Sequence, residues 1–362
     1  MSGPAVAGSA DRAEAIRFVC PSCLGQLQSS PLRYDCVACA LQFPVLHGIP
    51  DFRLRPDRYL TIDEERAKAA VLVEGACNRN RTPEGSGRFC AMLDHYYEIT
   101  DDVPAHVVPR YRAYHTGRSR EFATIADELA IEPGHRLLDA GCGTGGLLMA
   151  AAQRGAQAVG LDIALRWLVM CRQRLDETGV QATLVCADIE APPFLPGLFD
   201  RIAAVDLLEH CHSLDAAVTS LSRQLKPKGR IWLSGANRYF PGPHAATGLW
   251  AVGLVPRAAL ARLGRALRGF DSLRHTHLVS PRQIMGLMEQ HQLSLLNLRA
   301  RPVELEDGQS YGGWRRLLVT GYGKLRRMRI AGRLLALVGP VFSILAEKRS
   351  RSAGHDLAKE GM

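Results

Sequence analysis

The sequence predicts an α/β protein: a Rossmann-like, seven-stranded sheet preceded by a small cysteine-bound ribbon. Three observations carry this expectation. The apolar run Arg136–Gly141 leads straight into the glycine turn Gly141-Cys142-Gly143-Thr144-Gly145-Gly146, and an apolar helix follows, the order that opens a doubly wound fold. Three successive strand-like segments carry aspartates at or near their carboxyl ends, Asp139, Asp162 and Asp188. Near the N-terminus four cysteines stand as two CxxC pairs.

Bulk properties set the frame. At 362 residues, with 47% apolar and 22% charged side chains, the chain is long enough for two domains and a sizeable core. A formal charge of +9 favours nucleic acid, anionic lipid or an anionic substrate as partner, or serves solubility alone. Residues 1–15 are small and polar and read as a disordered tail, not a signal peptide; 351–362 is a second tail. The longest apolar stretch, Leu334–Ala346, is broken by Gly339-Pro340 and is too short to span a bilayer. Ten cysteines without a secretory signal point to a reducing, cytoplasmic compartment, where paired cysteines hold metal more often than they form disulfides. A peripheral contact with the inner face of the membrane stays open.

The ribbon occupies residues 16–54. Cys20-Pro-Ser-Cys23 and Cys36-Val-Ala-Cys39 each present two thiolates to one ion, and together close a tetrahedral Zn²⁺ site. So short a segment buries little surface alone, so metal would supply much of its folding energy; a redox-active dithiol is the alternative. The run Leu41–Phe52 (LQFPVLHGIPDF) follows. With the two cysteine pairs it resembles the zinc-ribbon family of small activator proteins that partner tRNA and protein methyltransferases. The ribbon is then either a stability or docking module without direct contact to substrate, or a module that contacts the substrate itself.

Residues 55–120 form a connector. Thr61–Val73 reads as a helix capped by Thr61, with acids in its first turn. Asn78–Arg88 reads as a loop, and Tyr96, Tyr97, Tyr111, Tyr114 and His115 make the next stretch aromatic-rich.

In the core, Ala158–Asp162 is the second strand and Thr183–Ile189 the third. Phe199–Asp206 is the fourth, opening on Asp206-Leu-Leu-Glu209-His210. Ser213 caps the next helix, which stops at Lys226-Pro227-Lys228-Gly229. Strand five is Arg230–Ser234. Ser280-Pro281-Arg282-Gln283 is a capping box with proline at the first helical position, starting a helix over 281–290. Strands six and seven are expected at Leu295–Arg301 and Val341–Glu347. The DAGCGTG motif and the LEH…LKPxGRxxLS passage resemble class I S-adenosylmethionine (SAM) dependent methyltransferases, typified by enzymes of ubiquinone and menaquinone biosynthesis. The resemblance assigns residues 121–350 to that domain. It implies a SAM site made of Asp139, Gly141, Cys142, Gly143, Gly145, Asp162, Ile163, Asp188, Ile189 and Asp206. Asp139 would face the cationic end of SAM, Asp162 the ribose hydroxyls, Asp188 the adenine, and Ile189 the purine face. The connector would fold over the cofactor as a lid.

Methyl transfer from a sulfonium needs alignment and exclusion of water more than covalent help, and a base only when the acceptor is a hydroxyl. His210 is the preferred base, since neutral imidazole is available near neutral pH, with Asp206 and His277 as further candidates and a purely structural His210 as the other reading. Glu209, Asn237 and His275 lie in the same region. No Asn/Asp-Pro-Pro-Tyr/Phe follows strand four, and Cys211 lacks a Pro-Cys context, so two nucleic-acid base chemistries are disfavoured. A cap insertion, 239–275, is apolar with interspersed arginines. A basic amphipathic segment, 314–337, contains no acid and fits an anionic membrane surface, a lipid-linked acceptor, RNA phosphates or plain solvation. The expected function is methylation of a small or lipid-like metabolite in natural-product, quinone or envelope biosynthesis. The alternatives are an RNA methyltransferase that docks substrate through the ribbon, and a SAM-binding partner subunit with little catalysis.

Overall fold

The computed structural model describes residues 16–78, 87–100, 105, 108–242, 249–268, 276–302 and 313–350. The expected tails, most of the 78–88 loop, and His275 lie outside them, as do parts of the cap insertion and the side chains at 314–316.

Four short strands, β1 (Leu27–Ser29), β2 (Arg33–Cys36), β3 (Gln42–Leu46) and β4 (Ile49–Pro50), pair in sequence order as an antiparallel sheet. Helices α1 (Ile62–Asn78), α2 (Arg88–Ile99), α3 (Val108–Thr116) and α4 (Ser119–Glu128) follow. The main sheet contains β5 (Arg136–Ala140), β6 (Gln157–Asp162), β7 (Thr183–Cys186), β8 (Phe199–Ala204), β9 (Leu225–Ala236), β10 (Leu293–Ala300) and β11 (Val341–Lys348). Between these strands run α5 (Gly146–Ala152), α6 (Leu165–Thr178), α7 (Leu214–Gln224), α8 (Arg257–Arg268), α9 (Pro281–Gln290), α10 (Gly313–Arg327) and α11 (Arg329–Val338).

The seven strands lie in the order β10-β11-β9-β8-β5-β6-β7. β5 pairs in parallel with both β6 and β8, whereas β11 runs antiparallel to β9 and β10. Leu137, Leu138 and Ala140 of β5 are fully buried; a central parallel strand covered on both faces needs such a continuous apolar run. Chain order reverses beside β5, which places the ligand crevice at the carboxyl ends of β5, β6, β7 and β8.

Local signals act as expected at several ends. Thr61 and Glu64 form a reciprocal capping box, Glu64 N donating to Thr61 Oγ1 at 3.2 Å and Thr61 N to Glu64 Oε2 at 2.7 Å. Ser280 Oγ accepts from Gln283 N at 3.3 Å and starts α9 at Pro281. Elsewhere the elements differ. The Lys226–Gly229 turn does not separate α7 from the fifth strand: β9 begins at Leu225, directly after α7, and the turn becomes a bulge where pairing with β8 jumps from Phe199↔Leu225 to Arg201↔Arg230.

The ribbon shares the core of the sheet domain. Phe52 N donates to Cys186 O at 2.7 Å, Asp51 bridges Cys186 in parallel, and Val19 N donates to Pro193 O at 3.0 Å. Phe18, Tyr34, Phe43, Phe52 and Phe194 form one aromatic cluster with centroids 5.2–6.0 Å apart, Phe18 and Tyr34 T-shaped and the other pairs tilted. The backbone leaving the ribbon thus continues the edge beyond β7, while the backbone entering it is tied to the loop that follows β7.

Candidate active site

The glycine turn exists because three of its residues take positive φ: Gly141 (72°), Gly143 (50°) and Gly145 (78°), conformations that strain residues carrying a Cβ. Asp162 holds the turn from the next strand, accepting from Gly143 N and Ala164 N, each at 2.9 Å. Asp139 and Asp162 are 3% and 9% exposed. Burial pushes Asp139 up to about 7, with the charge of Asp162 adding and Arg118 opposing. Burial likewise raises Asp162 to about 6 against the backbone amides of Ala164, Gly143 and Ile163. Among the described residues neither forms an ion pair. Two desolvated acids beside a glycine turn fit a ligand that brings positive charge and hydroxyls. Cys142 is buried beneath the turn, Ile163 is half-buried, and Ile189 packs within the main core.

Asp188 differs. Its Oδ2 accepts from Arg55 Nε at 2.6 Å, while Arg55 Nη2 reaches Glu190 Oε2 at 2.6 Å. His212 Nδ1 stands 3.9 Å from the same Asp188 oxygen. Asp188, Glu190 and His212 lie close enough to share an ion, yet the guanidinium already supplies the cation there.

The exit of β8 carries a second constellation. Asp206 sits at φ 53°, and its carboxylate meets Arg301 Nη1 (2.5 Å), Ser234 Oγ (2.9 Å) and Arg118 Nη2 (3.4 Å). Arg301 and Arg118 also both pair with Glu121. Burial would raise the Asp206 pKa, but Arg301 and Arg118 override it and hold it at about 2. So firmly paired a carboxylate is a poor proton acceptor, and the geometry gives Asp206 an anchoring role in place of the base role expected for it. Glu209 is buried with Oε2 unpartnered among the described residues; burial and the Asp206 charge push it up to about 8. His210 opens to solvent yet is walled by protein, which lowers its pKa, with Asp206 opposing and Arg58 adding. Its Nδ1 lies 2.7 Å from Tyr59 Oη. His277 is fixed by backbone, its N donating to Glu209 O at 2.7 Å and its Nε2 facing His212 O at 3.1 Å. Asn237 is spent on structure, donating Nδ2 to Leu337 O.

The connector does reach the crevice, but through few of its aromatics. Tyr96 is buried against Trp167. Tyr114 lies under Arg118, 4.4 Å from its guanidinium carbon, and points Oη at Asp206, 3.4 Å away. His115 stacks on Trp167 at 4.5 Å, and burial drops its pKa to about 4. Arg55, Tyr59, Arg118, Glu121 and Arg301 were not singled out from sequence. They sit in loops or at element ends without periodicity, and no local signal marks them.

In the ribbon, Cys20 Sγ lies 3.6 Å from Cys39 Sγ, and Cys23 Sγ lies 3.5 and 3.7 Å from those of Cys36 and Cys39. A tetrahedral ion with metal–sulfur bonds of about 2.3 Å requires sulfur–sulfur edges of roughly 3.7 Å. The thiols themselves are pushed apart: backbone amides lower Cys36 to about 6, whereas burial raises Cys20 to about 12, so it is the sulfur spacing that speaks for a metal. The donor set therefore fits Zn²⁺.

The strand order, its reversed last strand, and the glycine turn flanked by buried acids define the architecture of SAM-dependent methyltransferases. A family model described as a methyltransferase domain matches residues 138–233. The ubiquinone biosynthesis O-methyltransferase of Idiomarina loihiensis is 32% identical over 213 residues, 58% of this chain and 79% of that protein. The protein of that name from Pseudomonas aeruginosa is 36% identical over 114 residues, 31% of this chain and 49% of that one. Phosphoethanolamine N-methyltransferase 2 of Haemonchus contortus, solved with SAM, aligns with a TM-score of 0.47 at 18% identity, over 74% of this chain and 62% of that one. The chain belongs to the class I SAM-dependent methyltransferases.

Proposed function

We propose that this methyltransferase transfers the methyl group to a hydroxyl of a small or lipid-like metabolite, with His210 taking up the acceptor proton and Zn²⁺ held by Cys20, Cys23, Cys36 and Cys39. The observation that carries the reading is His210 at the mouth of the crevice, kept neutral by its walls and oriented by Tyr59. The similarity to ubiquinone biosynthesis O-methyltransferases supports a hydroxyl acceptor.

SAM, when bound, supplies the electrophilic methyl. The chain's own residues do the rest. The Gly141–Gly145 turn approaches the ligand closely, and Asp139 and Asp162 balance its positive charge. A base role fixes the His210 tautomer: Nδ1–H must donate to Tyr59 Oη, leaving the Nε2 lone pair for the acceptor hydroxyl. Tyr59 is suited to accept, since burial raises its pKa and keeps it a neutral phenol. Asp206, locked by Arg301 and Arg118, supplies a fixed negative charge beside the imidazolium that forms.

Labelled SAM offered with total lipid and small-molecule extract, or with total RNA, tests this reading. Label should enter the organic-extractable fraction, and transfer to RNA would overturn it. His210→Ala should lower turnover by about 10²–10⁴ fold with SAM affinity held within a few fold; unchanged turnover removes His210 as base.

A further inference from the structure

We infer that the α10–α11 hairpin is a docking surface for an anionic lipid bilayer, which it meets beside the mouth of the active-site crevice. The inference goes beyond the reaction and does not depend on the acceptor.

It starts from an inverted pattern. A helix on a water-soluble surface turns its apolar stripe toward the core. In α11 the stripe Ile330, Leu334, Leu337 and Val338, at i, i+4, i+7 and i+8, faces outward, with Ile330 77% exposed. The inward face is made by small Ala336, which is fully buried, and half-buried Ala331 and Gly332. In α10, Leu317 (75% exposed), Leu318 and Leu325 are likewise exposed, and Met328 between the helices continues the patch. Contiguous exposed apolar surface of this kind marks an interaction site.

Charge selects the occupant. No Asp or Glu occurs from Gly313 to Ala346, and Lys324, Arg327, Arg329 and Arg333 stand exposed among the apolar side chains. Leucines interleaved with exposed basic groups suit the headgroup–acyl boundary, where the apolar side chains sink in and the cations meet lipid phosphates. A fluid bilayer also needs no shape complementarity from two short helices. RNA would use the cations but leave the leucines in water.

Position supports the same occupant. β10 runs parallel to the central strands and ends beside the crevice; its next residue, Arg301, is the partner of Asp206. Tyr322 Oη of α10 donates to Arg301 O at 2.7 Å, and Asn237 Nδ2, just past β9, donates to Leu337 O of α11 at 2.8 Å. Trp250 and Leu254, 67% and 72% exposed, follow the same end of β9. A bilayer on this face meets the mouth from which a lipid-like acceptor would enter.

Co-sedimentation of the full chain with vesicles of phosphatidylcholine, alone or mixed with phosphatidylglycerol, tests the inference. Partitioning should be more than about tenfold greater on the anionic vesicles and should weaken with salt. The exposed pair Ile330→Glu/Leu334→Glu should lower it by about tenfold or more, with SAM affinity by calorimetry within a few fold as the control for folding. Equal binding to both vesicle types overturns the inference, as does undiminished binding of the double variant. A wild-type dimer that the variant converts to monomer without lipid would reassign the face to a second copy. Loss of retention on immobilised RNA with vesicle binding unchanged would reassign it to nucleic acid.

Discussion

Asp139 and Asp162 carry a desolvation cost that a cationic ligand relieves. Their pKa values in the free protein, about 7 and about 6, stand above the ordinary carboxylate value of 3.8, so near neutral pH part of the population holds a proton on one of them. A ligand bringing positive charge favours the ionised forms and expels that proton. The sign is therefore fixed: SAM affinity is highest above pH of about 7 and falls as pH drops through about 7 and then about 6. Below both values each protonation would cost up to about tenfold per pH unit. Calorimetry at pH near 6.5 in buffers of different ionisation enthalpy should register proton release on binding. A dissociation constant flat across this window would show that these acids do not face the ligand's charge. The positions of these residues were legible in the sequence because the strand, glycine turn and helix around them are local signals; their facing a ligand is what the calorimetry tests. Asp206 was legible as a position but not as a chemistry: its partners Arg118 and Arg301 lie 88 and 95 residues away in sequence, and nothing local announces them.

Among elements, α1 shows how far local signals reach. The Thr61-x-x-Glu64 box satisfies two amides at its start, and Glu65 in the next position is fully buried, paired with Arg166 of α6. Thr61→Ala should cost about 1 kcal/mol, a drop in Tm of roughly 1–2 °C for a chain of this size, with SAM affinity unchanged because the cap bonds join Thr61 to Glu64 and not to the crevice acids. A shift of Tm below about half a degree would mean that the packing of α1 against α2 and α6 fixes this end without the cap. The sequence placed the start of α1 because the cap is a four-residue code, but ended it at Val73 where the structure continues to Asn78; nothing breaks the helix there. The same contrast explains β9, where Pro227 and Gly229 suggested a turn and the sheet absorbed them as a bulge. The segment between Arg53 and Leu60 was the least legible. It has no period and no cap, and its order comes from long-range partners: Arg53 to Asp51 and Ile163 O, Arg55 to Asp188 and Glu190, Tyr59 to His210.

At the scale of the whole molecule the two expected domains share one apolar core, with Cys20, Cys36, Phe43 and Phe52 of the ribbon in the same buried cluster as the strands β5 to β9. The end of the ribbon, past Phe52, then runs directly through Arg53 into Arg55 and Tyr59 at the crevice. Loosening the ribbon must therefore be felt at the site. Its four cysteine sulfurs stand at the spacing of a shared ion, and so small a sheet buries too little surface to hold alone. Metal removal with a strong chelator, or Cys36→Ser, should lower the Tm of the whole chain in one transition and weaken SAM binding, since the crevice wall carrying Arg55 and Tyr59 loses its anchor. Scanning calorimetry with and without chelator decides the matter. A separate low-temperature transition, with the main transition and SAM affinity unmoved, would show the ribbon to be an independent module attached at the edge of the sheet. The expected outcome follows from the backbone bond between Phe52 and Cys186, which makes the ribbon's last residues part of the sheet that builds the active site.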